Sequence, residues 1–135
     1  MKTFIYLFIA LTTLYSSCNN QNSKNLEINY KAQTRGFNYE IHLKNDTLQI
    51  NKNNNDTKKI KLNKTQHSQI INLVNLIDFK EIKNNILIDE LAVDSAIKGK
   101  FKLKFNSHVY EYELDHHNLP KSIQQLFTTL EQTVK

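Results

Sequence analysis

Glycine is scarce in this chain of 135 residues, with only Gly36 and Gly99. That scarcity excludes the glycine-rich loops that bring backbone N–H groups up to phosphates in P-loop and dinucleotide-binding proteins. It also excludes a nucleophile elbow. A set drawn from Ser95, His116 and Asp115 lacks the tight turn and oxyanion loop that acyl-transfer chemistry needs. Cysteine occurs once, at Cys18, leaving no partner for an intramolecular disulfide and no thiolate cluster for a metal. The five histidines never fall at a paired-ligand spacing such as H-x-x-x-H. Long apolar runs are missing too. The stretch from Phe4 to Leu14 covers 11 positions and is broken by Thr12 and Thr13, whereas a helix crossing a bilayer takes roughly 20.

What is present at the N-terminus is an address. A basic residue at Lys2, the short apolar stretch, and the small residues Ser16 and Ser17 before Cys18 together match an export signal. The run Leu14-Tyr15-Ser16-Ser17-Cys18 looks like a lipobox, in which the cysteine sulfur receives a diacylglyceryl group and cleavage makes that cysteine the new N-terminus. Tyr15 departs from the commonest lipoboxes. At roughly 0.8 kcal/mol per buried methylene one acyl chain is a marginal anchor and two or more are a stable one. We therefore expect residues 1–17 to be a lipoprotein signal peptide, residues 18–25 a polar tether carrying a lipidated Cys18, and residues 26–135 a single domain. Removing the leader leaves 118 residues, enough for one core and too few for two. The tether from Asn19 to Asn25 has no apolar member, which suits a solvated linker. It also lacks the acidic residues that follow the cysteine in surface-exported lipoproteins of Bacteroidota, so the expected location is the outer membrane, facing the periplasm.

The formal charge of +5 falls to +4 once Lys2 is lost. Such an excess suits either an anionic envelope surface or a solvated lysine-rich face. Nucleic acid is not an expected partner, because no aromatic residue interleaves Lys58, Lys59, Lys61 and Lys64.

Strict alternation begins at Leu26, with Ile28, Tyr30 and Ala32 on one face and Glu27, Asn29, Lys31 and Gln33 on the other. It resumes after Arg35-Gly36 with Phe37, Tyr39, Ile41 and Leu43. A two-residue turn there pairs Ala32 with Tyr39, Tyr30 with Ile41 and Ile28 with Leu43 inside, and Lys31 with Glu40 and Glu27 with Lys44 outside. A second turn at Asn45-Asp46 sets Leu43 against Leu48 and Ile41 against Ile50. Residues 51–57, nearly all Asn and Lys, read as an exposed loop, followed by a short strand through Ile60 and Leu62.

The period then changes. Ile70, Leu73, Val74 and Ile77 form the stripe of an amphipathic helix, capped by Asn63 or Thr65 and ending near Asp78-Phe79, with Ile82 and Ile86 bringing the chain back to the sheet. Residues 86–95 fit a buried strand, a helical turn starting at Asp89 or an irregular crossing, and we read them as irregular. Phe101, Leu103 and Phe105 alternate with lysines, and a turn at Asn106-Ser107 pairs Leu103 with Tyr110, Phe101 with Tyr112, Lys102 with Glu111 and Lys100 with Glu113. Pro120 suits the first turn of a closing helix carrying Ile123, Leu126, Phe127, Leu130 and Val134. The expected fold is α+β: an antiparallel sheet of about six strands, a meander plus a hairpin, with two amphipathic helices packed on one face.

The candidate site is Asp115-His116-His117-Asn118, where a strand joins a helix. A metal centre there would recruit Asp94 or His108, but the ligand spacing does not point to one, and no cofactor is expected. The bland alternative is that Asp115 and Asn118 satisfy backbone donors while the histidines are packed or solvated. His42 on the outer face and His67 near the first helix suggest no cluster. The aromatic residues Phe37, Tyr39, Phe101, Phe105, Tyr110 and Tyr112 share the parity of the aliphatics and read as core rather than a ligand platform.

Arg35-Gly36-Phe37, the helix ending Leu76 to Asp78, Asp94-Ser95-Ala96, and Leu114-Asp115-His116 followed by Pro120 together give the chain its resemblance to a group of small lipoproteins of Bacteroidota, flavobacterial in type. That group usually has glycine where this chain has Ser95 and an aromatic where it has Leu114. The resemblance implies a fold and an envelope location and no mechanism. Arg35, Asp94, Asp115 and His116 are the candidate binding residues. The expected function is a lipid-anchored, non-enzymatic module that binds an envelope protein or component. The rival is a small metal-dependent or hydrolytic enzyme using Asp94, Asp115 and His116. The alternation does not decide whether Arg35 and Asp115 share one end of the sheet.

Overall fold

The computed structural model describes residues 25–53, 56–86 and 96–135. Six strands form one antiparallel sheet, β1 (Leu26–Thr34), β2 (Phe37–Lys44), β3 (Thr47–Lys52), β4 (Asp56–Lys61), β5 (Lys98–Phe105) and β6 (His108–Asp115). Helix α1 (Lys64–Leu76) follows β4, and α2 (Lys121–Thr133) closes the chain after a single 3-10 turn at His116–Asn118. None of the described helices is long and apolar enough to cross a membrane. The α+β expectation holds. Strand order is β4-β3-β2-β1-β5-β6, so the meander and the hairpin join through β1 and β5, with Ile28 opposite Leu103 and Tyr30 opposite Phe101.

The hairpin registers follow from alternation, since a slip by one residue would turn every apolar side chain into water. Tyr30 faces Ile41, Leu43 faces Leu48, and Leu103 faces Tyr110. At the β2–β3 turn Asn45 and Asp46 both have positive φ, 48° and 61°, the left-handed pair that matches strand twist in a tight hairpin. On the outer face Lys31 meets Glu40 at 2.8 Å, and Glu27 takes both Lys44 and Lys104. Lys102 meets Glu111 as expected, but Glu113 bonds Lys98 at 2.8 Å rather than Lys100, its register partner. The diagonal neighbour is within reach of a long side chain.

Three boundaries differ from the sequence reading. The expected loop at 51–57 is much shorter, because Asn51 pairs with Thr57 and Lys52 with Asp56. Asn53, at φ 53°, reverses the chain, and its N–H donates to the Asn38 carbonyl at 2.7 Å. The Asn and Lys composition there reflects an exposed edge, which charged residues protect from further pairing. Leu62 lies just beyond β4 and is buried. Helix α1 stops at Leu76, short of Asp78-Phe79, with Ile77 as its C-cap. Asn63 is its N-cap in a reciprocal capping box, accepting from Gln66 N while Gln66 Oε1 accepts from Asn63 N, both at 2.9 Å.

Inward residues of the sheet and the apolar stripes of both helices make one core, in which Ile28, Leu48, Leu103, Ile70, Ile123 and Leu130 are fully buried. The segment after α1 covers the β6 edge. Phe79 stacks on Tyr110 at 4.3 Å, the Tyr112 hydroxyl donates to the Phe79 carbonyl at 2.5 Å, and the side-chain carbonyls of Asn84 and Asn85 accept from Glu113 N and Asp115 N at 2.9 and 2.8 Å. Residues 87–95, with the expected irregular crossing and Asp94, lie outside the described residues, as does Cys18.

Candidate functional site

Ala32 pairs with both Tyr39 and Gly99, and Gly99 with Leu114. The Arg35-Gly36 turn and the Asp115-His116 junction therefore lie at the same end of the sheet. The structure brings Arg35, Asp115 and His116 to one end without joining them into one site. Arg35 is exposed at its turn and has no hydrogen-bond or ion-pair partner among the described residues. Asp115 closes the strand. Its Oδ1 accepts from His117 N at 3.0 Å and caps the 3-10 turn, so this candidate performs the structural role that short acidic side chains favour. Asn118 contributes its backbone carbonyl, which accepts from Asn85 Nδ2 at 2.6 Å.

His116 turns inward. Its Nδ1 lies 2.8 Å from the Tyr30 hydroxyl, and its ring contacts Phe37 and Tyr39 at centroid distances of 5.0 and 5.1 Å. Burial lowers its pKa, helped by His117, while Asp115 pulls the other way. The ring is neutral near pH 7. Burial, and secondarily Asp115, raises the Tyr30 phenol, which keeps its proton. A protonated phenol donates to an unprotonated Nδ1, and the neutral imidazole then carries its own proton on Nε2.

Beside His116 opens a cleft of about 340 Å³, walled by Phe37, Tyr39, Leu119 and Phe127 and lined by the polar side chains of Lys52, Asn53, Gln124, Thr128 and Glu131. Its position follows from three elements. Lys52 ends β3 directly opposite Tyr39 on β2. Glu131 lies one helical turn beyond Phe127 on α2, next to the apolar stripe. The Tyr39 hydroxyl donates to Glu131 Oε1 at 2.5 Å, and Lys52 Nζ reaches the same oxygen at 3.0 Å while lying 5.4 Å from the Tyr39 ring centroid. Burial works to raise the Glu131 pKa but is outweighed by the hydrogen bonds from Tyr39 and Lys52, so the carboxylate stays ionised. Burial and the Glu131 bond push the Tyr39 phenol upward.

Of the sequence candidates among the described residues, Arg35, Asp115 and His116, only His116 lines this cleft. Tyr39 was legible in the sequence as a core residue, and Lys52 fell inside the expected loop. Glu131 carried one signal, an acidic residue four positions after Phe127 on an otherwise apolar stripe. Among the described residues no three His, Cys, Asp or Glu side chains come together to hold a metal ion. The polar groups can accept, donate and orient a small ligand against an apolar wall. Set against protein-family models, curated proteins and solved structures, the chain matches none of them.

Proposed function

We propose that this chain is a lipid-anchored protein of the bacterial envelope, held to the outer membrane through Cys18 and facing the periplasm, and that its domain is a non-enzymatic binding module using the cleft beside His116. One observation carries the reading. Asn25, where the tether joins the domain, accepts from Asn106 N at 3.2 Å at one end of the sheet, and the cleft opens at the other. The length of β1 separates them, nine residues, or about 26 Å at the usual strand rise. A domain tethered at Asn25 and anchored just before it presents its cleft away from the lipid. Binding rather than catalysis is supported by the cleft's chemistry, since among the described residues Glu131 is its one carboxylate, bonded to Tyr39 and Lys52, while His116 is bonded to Tyr30. General acid–base chemistry on a glycoside or phosphoester calls for a second such group or a metal.

Intact mass of the membrane-extracted protein tests the anchor: the expected species begins at Cys18 and carries acyl chains, and a chain retaining Met1 with a free thiol sinks it. Crosslinking in intact envelopes followed by affinity capture tests the module. A defined envelope component recovered with the wild type, and lost on filling the cleft by Thr128→Trp, is the expected result. Recovery of nothing above background counts against it.

A further inference from the structure

Glu131 and Lys52 hold more than each other. Both donors to Glu131 meet one oxygen, Oε1, which leaves Oε2 without a donor among the described residues, on a side chain 31% exposed. Lys52 uses one of its three N–H groups on Oε1, and its side chain is 43% exposed. An acceptor and a donor thus stand side by side at the cleft, held there by the buried Tyr39, with Phe37, Leu119 and Phe127 supplying apolar surface beside them.

The pair discriminates by charge. A cationic ligand meets Lys52, which already occupies the position over the Tyr39 ring. An anionic ligand meets Glu131. A zwitterion would have to surrender the hydration of two charges for two part-exposed, salt-screened ion pairs, which return little. An uncharged polyol escapes these penalties, because each hydroxyl both donates and accepts, and hydrogen bonds to an ionised carboxylate and ammonium are stronger than those between neutral groups. The size is also restrictive. A cleft of about 340 Å³ is at the small end of ligand sites, right for one or two rings.

Resting on the binding reading above, we propose that the cleft takes an uncharged sugar ring, one hydroxyl donating to Glu131 Oε2, its neighbour accepting from Lys52 Nζ, and the C–H face against the apolar wall.

The test is a titration of the full chain in detergent, followed through the NMR signals of Tyr39, Lys52 and Glu131, with methyl β-glucoside, N-acetylglucosamine, alanine, inorganic phosphate and ethylammonium as probes. The two sugars shift these signals and the three charged probes do not. E131Q weakens sugar binding roughly tenfold, the loss of one charge-assisted hydrogen bond. If E131Q disturbs resonances throughout the chain, K52Q makes the same test from the donor side. Equal or stronger shifts with alanine, phosphate or ethylammonium overturn the proposal, as does an absence of sugar shifts or sugar binding unchanged in both variants. A cleft that takes no sugar while crosslinking still captures an envelope component defeats the ligand class alone. Release of methanol from the glycoside during the titration defeats the non-enzymatic reading and leaves the ligand class standing.

Discussion

The hydroxyl of Tyr30 sits 2.8 Å from His116 Nδ1, and it reaches there by filling the volume that a side chain at residue 99 would need. A Cβ at Gly99 would overlap that hydroxyl and stand 2.6 and 2.7 Å from two carbons of the ring. One of the two glycines in the chain is thus set by a contact between neighbouring strands, in a negative-φ position where alanine would otherwise be welcome.

Gly99→Ala therefore displaces a rigid, buried ring. We expect a loss of about 1–3 kcal/mol of stability, the usual range for overpacking, measured by urea unfolding. Tyr30→Phe, which removes the hydroxyl but not the ring carbons, costs about 1 kcal/mol for the lost hydrogen bond. Combined, the two changes should cost less than their sum, and strict additivity would contradict the overlap.

Stability should depend on pH through His116. Its folded pKa lies below the ordinary histidine value because of burial, so the unfolded chain takes up a proton first as pH falls. Stability is full above the unfolded pKa of about 6.5 and declines as pH drops through it toward the lower folded value. His116→Asn should flatten this part of the profile between pH 8 and 5 relative to wild type. A separate decline, below the unfolded carboxylate range, belongs to groups such as Glu131 whose folded pKa is also lowered. An unchanged slope above pH 5 in the variant would remove His116 from the account.

The capping box of α1 is open to a direct test. Asn63→Ala removes the acceptor for Gln66 N and, by loosening the turn, the return bond from Asn63 N to Gln66 Oε1. The expected loss is about 1 kcal/mol, whereas Thr65→Ala, at the other residue that sequence offers as a cap, should change little. Equal effects of the two would mean that the helix starts elsewhere.

Asn84 and Asn85 act as artificial neighbours for an edge strand. Replacing either with alanine leaves Glu113 N or Asp115 N to water, at about 0.5–1.5 kcal/mol each. The double variant exposes a longer stretch of β6 edge and should raise self-association, visible by analytical ultracentrifugation. A double variant that is monomeric and as stable as wild type would show that these amides do not guard the edge.

Local pattern carried far into this fold. Period-two alternation paired Ile28 with Leu43 and Phe101 with Tyr112, and period 3.6 marked Ile70, Val74, Ile123 and Leu130 as inward. Composition misled at residues 51–57, where Asn and Lys signify an exposed edge as readily as a loop, and at the end of α1, where Ile77 continues the apolar stripe but leaves the helix.

Alternation along each strand was enough to determine the hairpins and the two-layer class, because a register that buries the wrong face loses its whole apolar contribution at once. Only the tertiary structure decided that β1 joins β5, that His116 faces Tyr30, and that Lys52, Tyr39 and Glu131 meet. These are contacts between residues distant in sequence, and no local period records them. They form only when the buried sheet face and the stripe of α2 close over the same core, which brings a carboxylate, an ammonium and a neutral imidazole to one cleft.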